Sequence, residues 1–396
     1  MDVRYWVWLQ LCLGEGAHFK PIIEEFGSVE KLYSQNIIDW KMSPALSPAQ
    51  VERLTKFSLR DAERVIIDCE NNGWKIVCYD DGMYPEKLKN ITNPPAVLYV
   101  DGELINLDAF ATIGIVGTRK ASPYAMKAAK LTAKGISICG AVVISGGALG
   151  VDSAAHTGAL DANAKTYAVL GSGFGTSYLK ANSELRNRIK NSGALITEFP
   201  PFVKATKNTF PLRNRIISGL SDGLLVVEAG VKSGSLITAH HALEQNRDVF
   251  ALPASILDYN FYGTNKLIED GATPATSPLV LIERYAEYYS TLDLSKMQTL
   301  RELAEGKLES DSPVREQVTF DNIRKNRAER LQKEEKAFLL EGDEKKVYSA
   351  LDDELKTIEE ILEKTGLAAP KALAALTVLE MKGLTESASG KRYKLK

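Results

Sequence analysis

The stretch KNTFPLRNRIISGLSD combines an aromatic ring with several cations in a chain that is otherwise slightly acidic. The window 200–221 holds four basic residues and no acidic one. Cations beside an exposed ring suit single-stranded nucleic acid, because cations neutralise phosphates and a ring stacks on a base. Alternatively, the ring belongs to the core and the cations form a solvated face. The candidate binding residues are Lys207, Phe210, Arg213, Asn214 and Arg215.

Four further turns follow apolar runs and are rich in small or polar residues: GTRKASPY, SGGALG, GSGFG and VKSGS. Where a strand leads through such a turn into a helix, the backbone amides can bind an anion. Turns from neighbouring parallel strands meet at one sheet edge, so they predict a shared anion site. As alternatives, the glycines only form turns and the arginine only makes a surface ion pair. The candidates are Gly117, Thr118, Arg119, Gly146, Gly147, Ser233 and Ser235.

Catalytic chemistry has weaker support in the sequence. His156 sits among small residues, as a packed histidine would, and Asp152 is placed to cap a helix. The GSGFG turn lacks the third glycine of a dinucleotide fingerprint, since Thr176 occupies that position, and there is no P-loop motif. We therefore predict no catalytic residue and no cofactor. The alternative is an enzyme acting on a nucleotide or nucleoside phosphate, with Glu198 or Glu228 as acid or base and an arginine on the phosphate.

These turns must be positioned by a sheet, and six apolar runs are its candidate strands: TIGIVGT, AVVIS, TYAVLG, ALITEF, GLLVVEA and DVFAL. Strands buried on both faces are apolar almost throughout, and helical stretches between them indicate parallel crossovers. We predict a doubly wound, Rossmann-like α/β domain over residues 74–290. Three- and four-residue apolar spacing predicts a small helical domain over residues 1–70.

The sequence after residue 290 differs from the α/β region in composition and pattern. Residues 291–342 are rich in charge and predict a linker. Residues 343–396 show three helical patterns and a short hairpin, which together predict a winged helix. This segment carries ten acidic and ten basic residues, and its predicted recognition helix has no Arg, Asn or Gln to read base edges. We therefore expect it to contact protein, or to touch DNA only weakly.

Bulk composition excludes several classes of protein. A formal net charge of −2 gives no global attraction to nucleic acid, so any polyanion site must be local. The four cysteines and four histidines are dispersed, which predicts no metal site and favours a reducing compartment. Without an apolar run of membrane length or a signal-peptide pattern, we expect a cytoplasmic protein that does not bind a membrane.

The longest motifs resemble one known family. IVGTRKASPYAMKAAKLTAKGI, VVISGGALGVDSAAHTGAL, TFPLRNRIISGLSDGLLVVEAGVKSGSLITAHHALEQNRDVFALP and GTNKLIEDGA are similar, in this order, to motifs of the DprA/Smf (DNA-processing protein A) family. The resemblance covers about residues 75–275. The helical N-terminus is similar to the sterile-alpha-motif-like domain of many members, and the tail resembles the family's winged helix.

The resemblance implies a protein without catalysis that binds single-stranded DNA on its Rossmann-like domain and forms a homodimer through it. It also implies help in loading a RecA-type recombinase during natural transformation or recombination. Residues that match the family's binding positions are Gly117, Arg119, Gly146, Gly147, Lys207, Phe210, Arg213, Asn214 and Arg215. In the GSGFG loop, Gly175 replaces the family's usual Asp.

Overall fold

The computed structural model describes residues 2–177, 182–305, 340–351, 355–388 and 392–395. The chain divides into two compact units, Met1–Leu308 and Glu309–Lys396. Most of the linker predicted at residues 291–342 lies outside the described residues. The domain boundaries proposed from sequence stay predictions.

The larger unit is built on one mixed sheet. Its order is β1-β2-β6-β5-β4-β3-β7-β8-β9, with every pair parallel except β1–β2 and β2–β6. Each of the six apolar runs contains a strand, and the α/β fold class is confirmed. The strands are β1 (Lys75–Cys78), β2 (Val97–Gly102), β3 (Thr112–Val116), β4 (Val142–Ser145), β5 (Thr166–Val169), β6 (Ala194–Thr197), β7 (Gly223–Val226), β8 (Asp248–Ala251) and β9 (Thr273–Pro274).

Both faces of the parallel strands are buried, which explains their continuous apolar character. Side chains alternate across a strand, so Leu224 and Val226 enter the core on one face while Leu225 enters the core on the other. Ala129 and Ile136 cover the second face, and Ile216 covers the first. The helices of this region are α7 (Glu86–Lys89), α8 (Pro123–Ile138), α9 (Val151–Asp161), α10 (Ser183–Ser192), α11 (Thr209–Gly219), α12 (Ser235–Glu244), α13 (Tyr262–Glu269) and α14 (Leu300–Glu305).

Six short helices precede the sheet and share a core with its antiparallel edge. Trp6 and Trp8 pack in the same cluster as Val97 and Tyr99 of β2. Gln10 ties the two parts together, since its Nε2 donates to the Glu198 carbonyl at 2.6 Å and its Oε1 accepts from the Tyr99 hydroxyl at 2.7 Å. The helices are α1 (Val3–Leu13), α2 (Lys20–Phe26), α3 (Val29–Ser34), α4 (Ile37–Met42), α5 (Pro48–Lys56) and α6 (Leu59–Asn71).

The smaller unit has the predicted three helices and hairpin, with one additional two-residue strand. Val347, Ile361 and Leu376 form the centre of its core. This arrangement confirms the winged helix. Its elements are α15 (Gly342–Ala350), β10 (Lys356–Thr357), α16 (Ile358–Thr365), α17 (Ala369–Met381), β11 (Thr385–Ala388) and β12 (Arg392–Leu395). Within the described part of the chain, no helix has the length and apolar character needed to span a membrane.

Candidate nucleic-acid interface

A cavity of about 360 Å³ opens at the carboxyl edge of the parallel strands. Its walls come from the turn after β3, the start of α9, one face of α11 and the turn between β7 and α12. Eight of the twelve residues predicted from sequence line it together. The full lining is Val116, Gly117, Thr118, Arg119, Asp152, Phe210, Arg213, Asn214, Ile217, Ser233, Gly234, Ser235 and Thr238.

Arg119 and Phe210 form a cation–π pair at this cavity. The guanidinium carbon lies 4.6 Å from the centre of the ring, and Arg119 is exposed whereas Phe210 is half-buried. Phe210 packs closely on Gly171, where a Cβ would come within 2.9 Å of the ring. The ring, at the start of α11, therefore packs on the turn after β5 and presents a stacked guanidinium to solvent. A planar guanidinium over a ring can stack on a nucleic-acid base.

Arg213 holds the inner wall together instead of facing solvent. It is buried, and its Nη1 donates to the Gly146 carbonyl at 2.7 Å and to the Val169 carbonyl. Burial raises the pKa of the neighbouring Asp152, and the charge of Arg213 opposes that shift. A Cβ on Gly146 would lie 2.6 Å from Asp152 Oδ2 and 2.7 Å from Arg213 Nη1, so a larger residue would have to displace these two side chains. Gly146 thus shapes the wall from behind.

The remaining turns are locked to one another by backbone hydrogen bonds. The Thr118 amide donates to the Glu228 carbonyl at 2.9 Å, and the Thr118 carbonyl accepts from the Val151 amide at 3.2 Å. A Cβ on Gly117 would lie 2.6 Å from Val151 Cγ2, so the turn after β3 packs directly on α9. The turn between β7 and α12 also lines the cavity, and there the hydroxyls of Ser233 and Ser235 lie 2.8 Å from each other. Hydroxyls of this kind suit phosphate oxygens, whereas the Thr118 amide is already bonded to the Glu228 carbonyl.

Four predicted residues do not line the cavity: Lys207, Arg215, Gly146 and Gly147. Lys207 is exposed two residues before α11 begins. Gly147 adopts a left-handed φ of +63°, which makes it a turn residue. Arg215 lies in the interior, where it makes a bidentate pair with Glu198 at 3.0 and 2.7 Å. Its charge is thereby used inside the fold, and its assignment to DNA stays a prediction.

The acidic and histidine side chains considered for catalysis have structural partners. Glu228 accepts from both the amide and the hydroxyl of Ser122 at 2.8 Å, at the start of α8. His156 Nδ1 lies 2.8 Å from the Thr166 hydroxyl, and burial lowers the pKa of His156 to about 3. Among the described residues, no group of three His, Cys, Asp or Glu could hold a metal ion. All four cysteines are buried thiols.

Five lining residues were not among the twelve predicted from sequence: Val116, Asp152, Ile217, Gly234 and Thr238. Val116 ends β3, and Ile217 lies one helical turn after Arg213 on the same face of α11. The i, i+4 spacing from Arg213 would have indicated Ile217. Asp152 was interpreted only as a helix cap, yet it reaches the cavity wall. Arg213 lies far from Asp152 in the sequence, so the residues around Asp152 give no indication that the two side chains are neighbours in the fold.

Comparison with known families gives two matches. The model described as DNA recombination-mediator protein A matches residues 75–286. The model described as the DprA winged helix domain matches residues 332–391. The first match contains the whole cavity and the second contains most of the smaller unit.

Individual relatives of the chain come from the same family as the matching models. DNA processing protein DprA of Bacillus subtilis is 36% identical over 263 residues, covering 63% of this chain and 89% of that protein. The structure of DNA processing protein A from Streptococcus pneumoniae superposes with a TM-score of 0.63 at 32% identity, covering 72% of this chain and 98% of the other.

A second solved relative is DNA processing protein A from Helicobacter pylori, which binds single-stranded DNA. It superposes with a TM-score of 0.50 at 28% identity, covering 55% of this chain and 97% of the other. The family model matches more than half of the present chain, and the strand turns that build the cavity all fall inside it. The chain belongs to the DNA recombination-mediator protein A family.

Proposed function

We propose that the chain binds single-stranded DNA in the cavity at the carboxyl edge of the sheet. The observation that carries this proposal is the guanidinium of Arg119 stacked 4.6 Å above Phe210, at a cavity that the hydroxyl-bearing Ser233 and Ser235 also line. Bases would stack on the Arg119–Phe210 pair, while Arg119 and the exposed Lys207 neutralise phosphates. The single-stranded DNA binding of the Helicobacter pylori relative supports the same ligand class.

In this proposal the protein acts without catalysis. It would hold single strands during DNA processing and help to load a RecA-type recombinase, and it would form a homodimer through the α/β domain. The family's description as a recombination mediator supports this role. The competing nucleotide enzyme needs Glu198 or Glu228 as acid or base. Glu198 is paired with Arg215 and Glu228 caps α8, which disfavours that alternative.

Replacing Phe210 with alanine is expected to weaken single-strand binding by about 1–3 kcal/mol, because one stacking surface is lost. Arg119→Ala and Lys207→Ala should each weaken binding and flatten its salt dependence, since each removes a phosphate contact. The measurement is fluorescence anisotropy of a labelled oligonucleotide, with a matched duplex, titrated with salt.

The control is Arg64→Ala, which removes an exposed cation on α6 whose partner is Asp61. It should bind like the wild type. If Phe210→Ala and Lys207→Ala also bind like the wild type, the proposal fails, and the nucleotide enzyme becomes the leading function. Release of free base or sugar phosphate from a panel of nucleotides would then test that function.

A further inference from the structure

Three exposed tyrosines form a continuous feature beside the cavity, the tyrosine surface: Tyr124, Tyr259 and Tyr262. Their exposed fractions are 52%, 73% and 54%. The rings of Tyr259 and Tyr262 lie 6.4 Å apart with an interplanar angle of 35°. The Tyr124 ring lies 5.7 Å from that of Phe261, which joins it to the same turn. A single exposed ring is normal on a protein surface, whereas a group of exposed rings marks an interaction or ligand site.

The backbone that carries these rings is held firmly, with Tyr124 on α8, Tyr259 in the turn before α13 and Tyr262 at the start of α13. Phe261 is buried in the core beneath the turn. Asp258 accepts a hydrogen bond from the Asn260 amide at 3.0 Å, and the Tyr124 hydroxyl donates to the Pro253 carbonyl at 3.1 Å. The rings are thus presented on a fixed backbone, so that little conformational entropy is lost when a flat ligand stacks on them.

The tyrosine surface adjoins the cavity through the turn after β7. The Tyr259 carbonyl lies 3.9 Å from where a Cβ of Gly230 would be, and the Ser233 amide donates to the Gly230 carbonyl at 3.0 Å. Ser233 lines the cavity. Tyr124 follows Arg119 by five residues, so the turn after β3 also borders both features. The two features are therefore neighbours along one sheet edge.

The charges around the tyrosine surface favour a polyanion. Lys120, Lys127 and Lys232 are exposed and lie on the turn after β3, on α8 and on the turn after β7. The half-buried Asp258 accepts from the Asn260 amide and the buried Glu228 accepts from Ser122, so the three lysines outnumber these two carboxylates. Cations interleaved with rings match the chemistry of a single strand better than that of a neutral protein partner.

We infer that single-stranded DNA leaving the cavity continues across the turn after β7 and stacks its bases on Tyr259 and Tyr262. This inference rests on the proposed function. In the sheet order, β4 and β8 are three strand spacings apart, which is about 14 Å. At about 3.4 Å for each stacked nucleotide, this distance needs about four nucleotides. About four nucleotides are therefore used in crossing from the turn after β4 to the segment after β8, and only longer strands have further bases to stack on the tyrosine surface.

The test is the affinity for oligothymidylates of about 4, 8, 16 and 24 nucleotides, measured by anisotropy. The double variant Tyr259→Ala/Tyr262→Ala should match the wild type on the shortest strand and bind the two longest at least about tenfold more weakly. Tyr259→Phe/Tyr262→Phe keeps the ring faces and should restore binding. The control is Tyr288→Ala, which removes a tyrosine outside this surface that is 80% exposed, and it should have no effect.

The outcomes separate this inference from the proposed function. Equal affinity of wild type and double variant at every length overturns the inference alone, provided that Phe210→Ala still weakens binding. No effect of Phe210→Ala at any length overturns the proposed function.

A second copy of the chain is the other possible occupant, because two apolar side chains, Ile256 and Leu257, border the tyrosine surface and are 90% and 91% exposed. A length-independent loss with a lower sedimentation coefficient would assign the surface to a second copy of the chain and overturn the inference.

Discussion

Replacing Arg215 with methionine lowers the free energy of unfolding by about 3–5 kcal/mol, because the substitution leaves the Glu198 carboxylate buried without its partner. The two side chains are only 8% and 3% exposed, and both guanidinium Nη atoms bond to the carboxylate. Burial raises the pKa of Glu198 and Arg215 opposes that shift, so the variant must either bury a bare charge or take up a proton. Denaturant unfolding at pH 7.5 measures the loss.

Two further variants give this prediction its controls. Arg64→Met breaks an exposed ion pair with Asp61 and should cost less than about 1 kcal/mol. Arg215→Met/Glu198→Leu removes both charges, and most of the lost stability should return. If Arg215→Met unfolds like the wild type but loses affinity for single-stranded DNA, then Arg215 contacts DNA as the sequence suggested, and the structural role is wrong.

The R-N-R segment shows what sequence could and could not tell. Residues two apart on a helix differ by about 200° in direction, so Arg213 and Arg215 cannot share one face. Spacing alone could have shown this. Spacing could not show which arginine faces the cavity, since the partner of Arg215 comes from the end of β6 and the partners of Arg213 from β4 and β5. Those contacts exist only after the sheet has formed.

The sheet illustrates the same limit. Parallel strands such as β3 and β7 were predictable, because burial on both faces leaves an apolar run in the sequence. β1 was not, since it begins at the exposed Lys75 and depends on antiparallel pairing with β2. β9 has two residues and carries no periodicity at all. The turns at the carboxyl edge were predictable for the same reason as the strands that precede them.

Replacing Arg213 with methionine is expected to cost about 3–5 kcal/mol of stability at pH 8, and clearly less at pH 5.5. The variant leaves the carbonyls of Gly146 and Val169 without this donor and leaves Asp152 without the charge that offsets its burial. At pH 8 the folded variant must either keep the buried Asp152 carboxylate ionised or take up a proton at a pH where a carboxyl group in water is ionised. Both cost free energy. Denaturant unfolding at both pH values, beside the wild type, measures the difference.

The direction of this pH dependence follows from Asp152. Without Arg213, burial holds the pKa of folded Asp152 further above its unfolded value, so the folded variant gains protons, and therefore stability, as pH falls. His156 adds no difference in this range, because burial keeps its pKa at about 3 and it stays neutral in the folded state at both pH values. The Asp152 effect makes the loss smaller at low pH. Adding Asp152→Asn to Arg213→Met should remove most of the pH dependence. A loss that is the same at pH 8 and pH 5.5 would contradict the pairing of Arg213 with Asp152, and the stabilising role of Arg213 would then rest on its hydrogen bonds to the carbonyls of Gly146 and Val169.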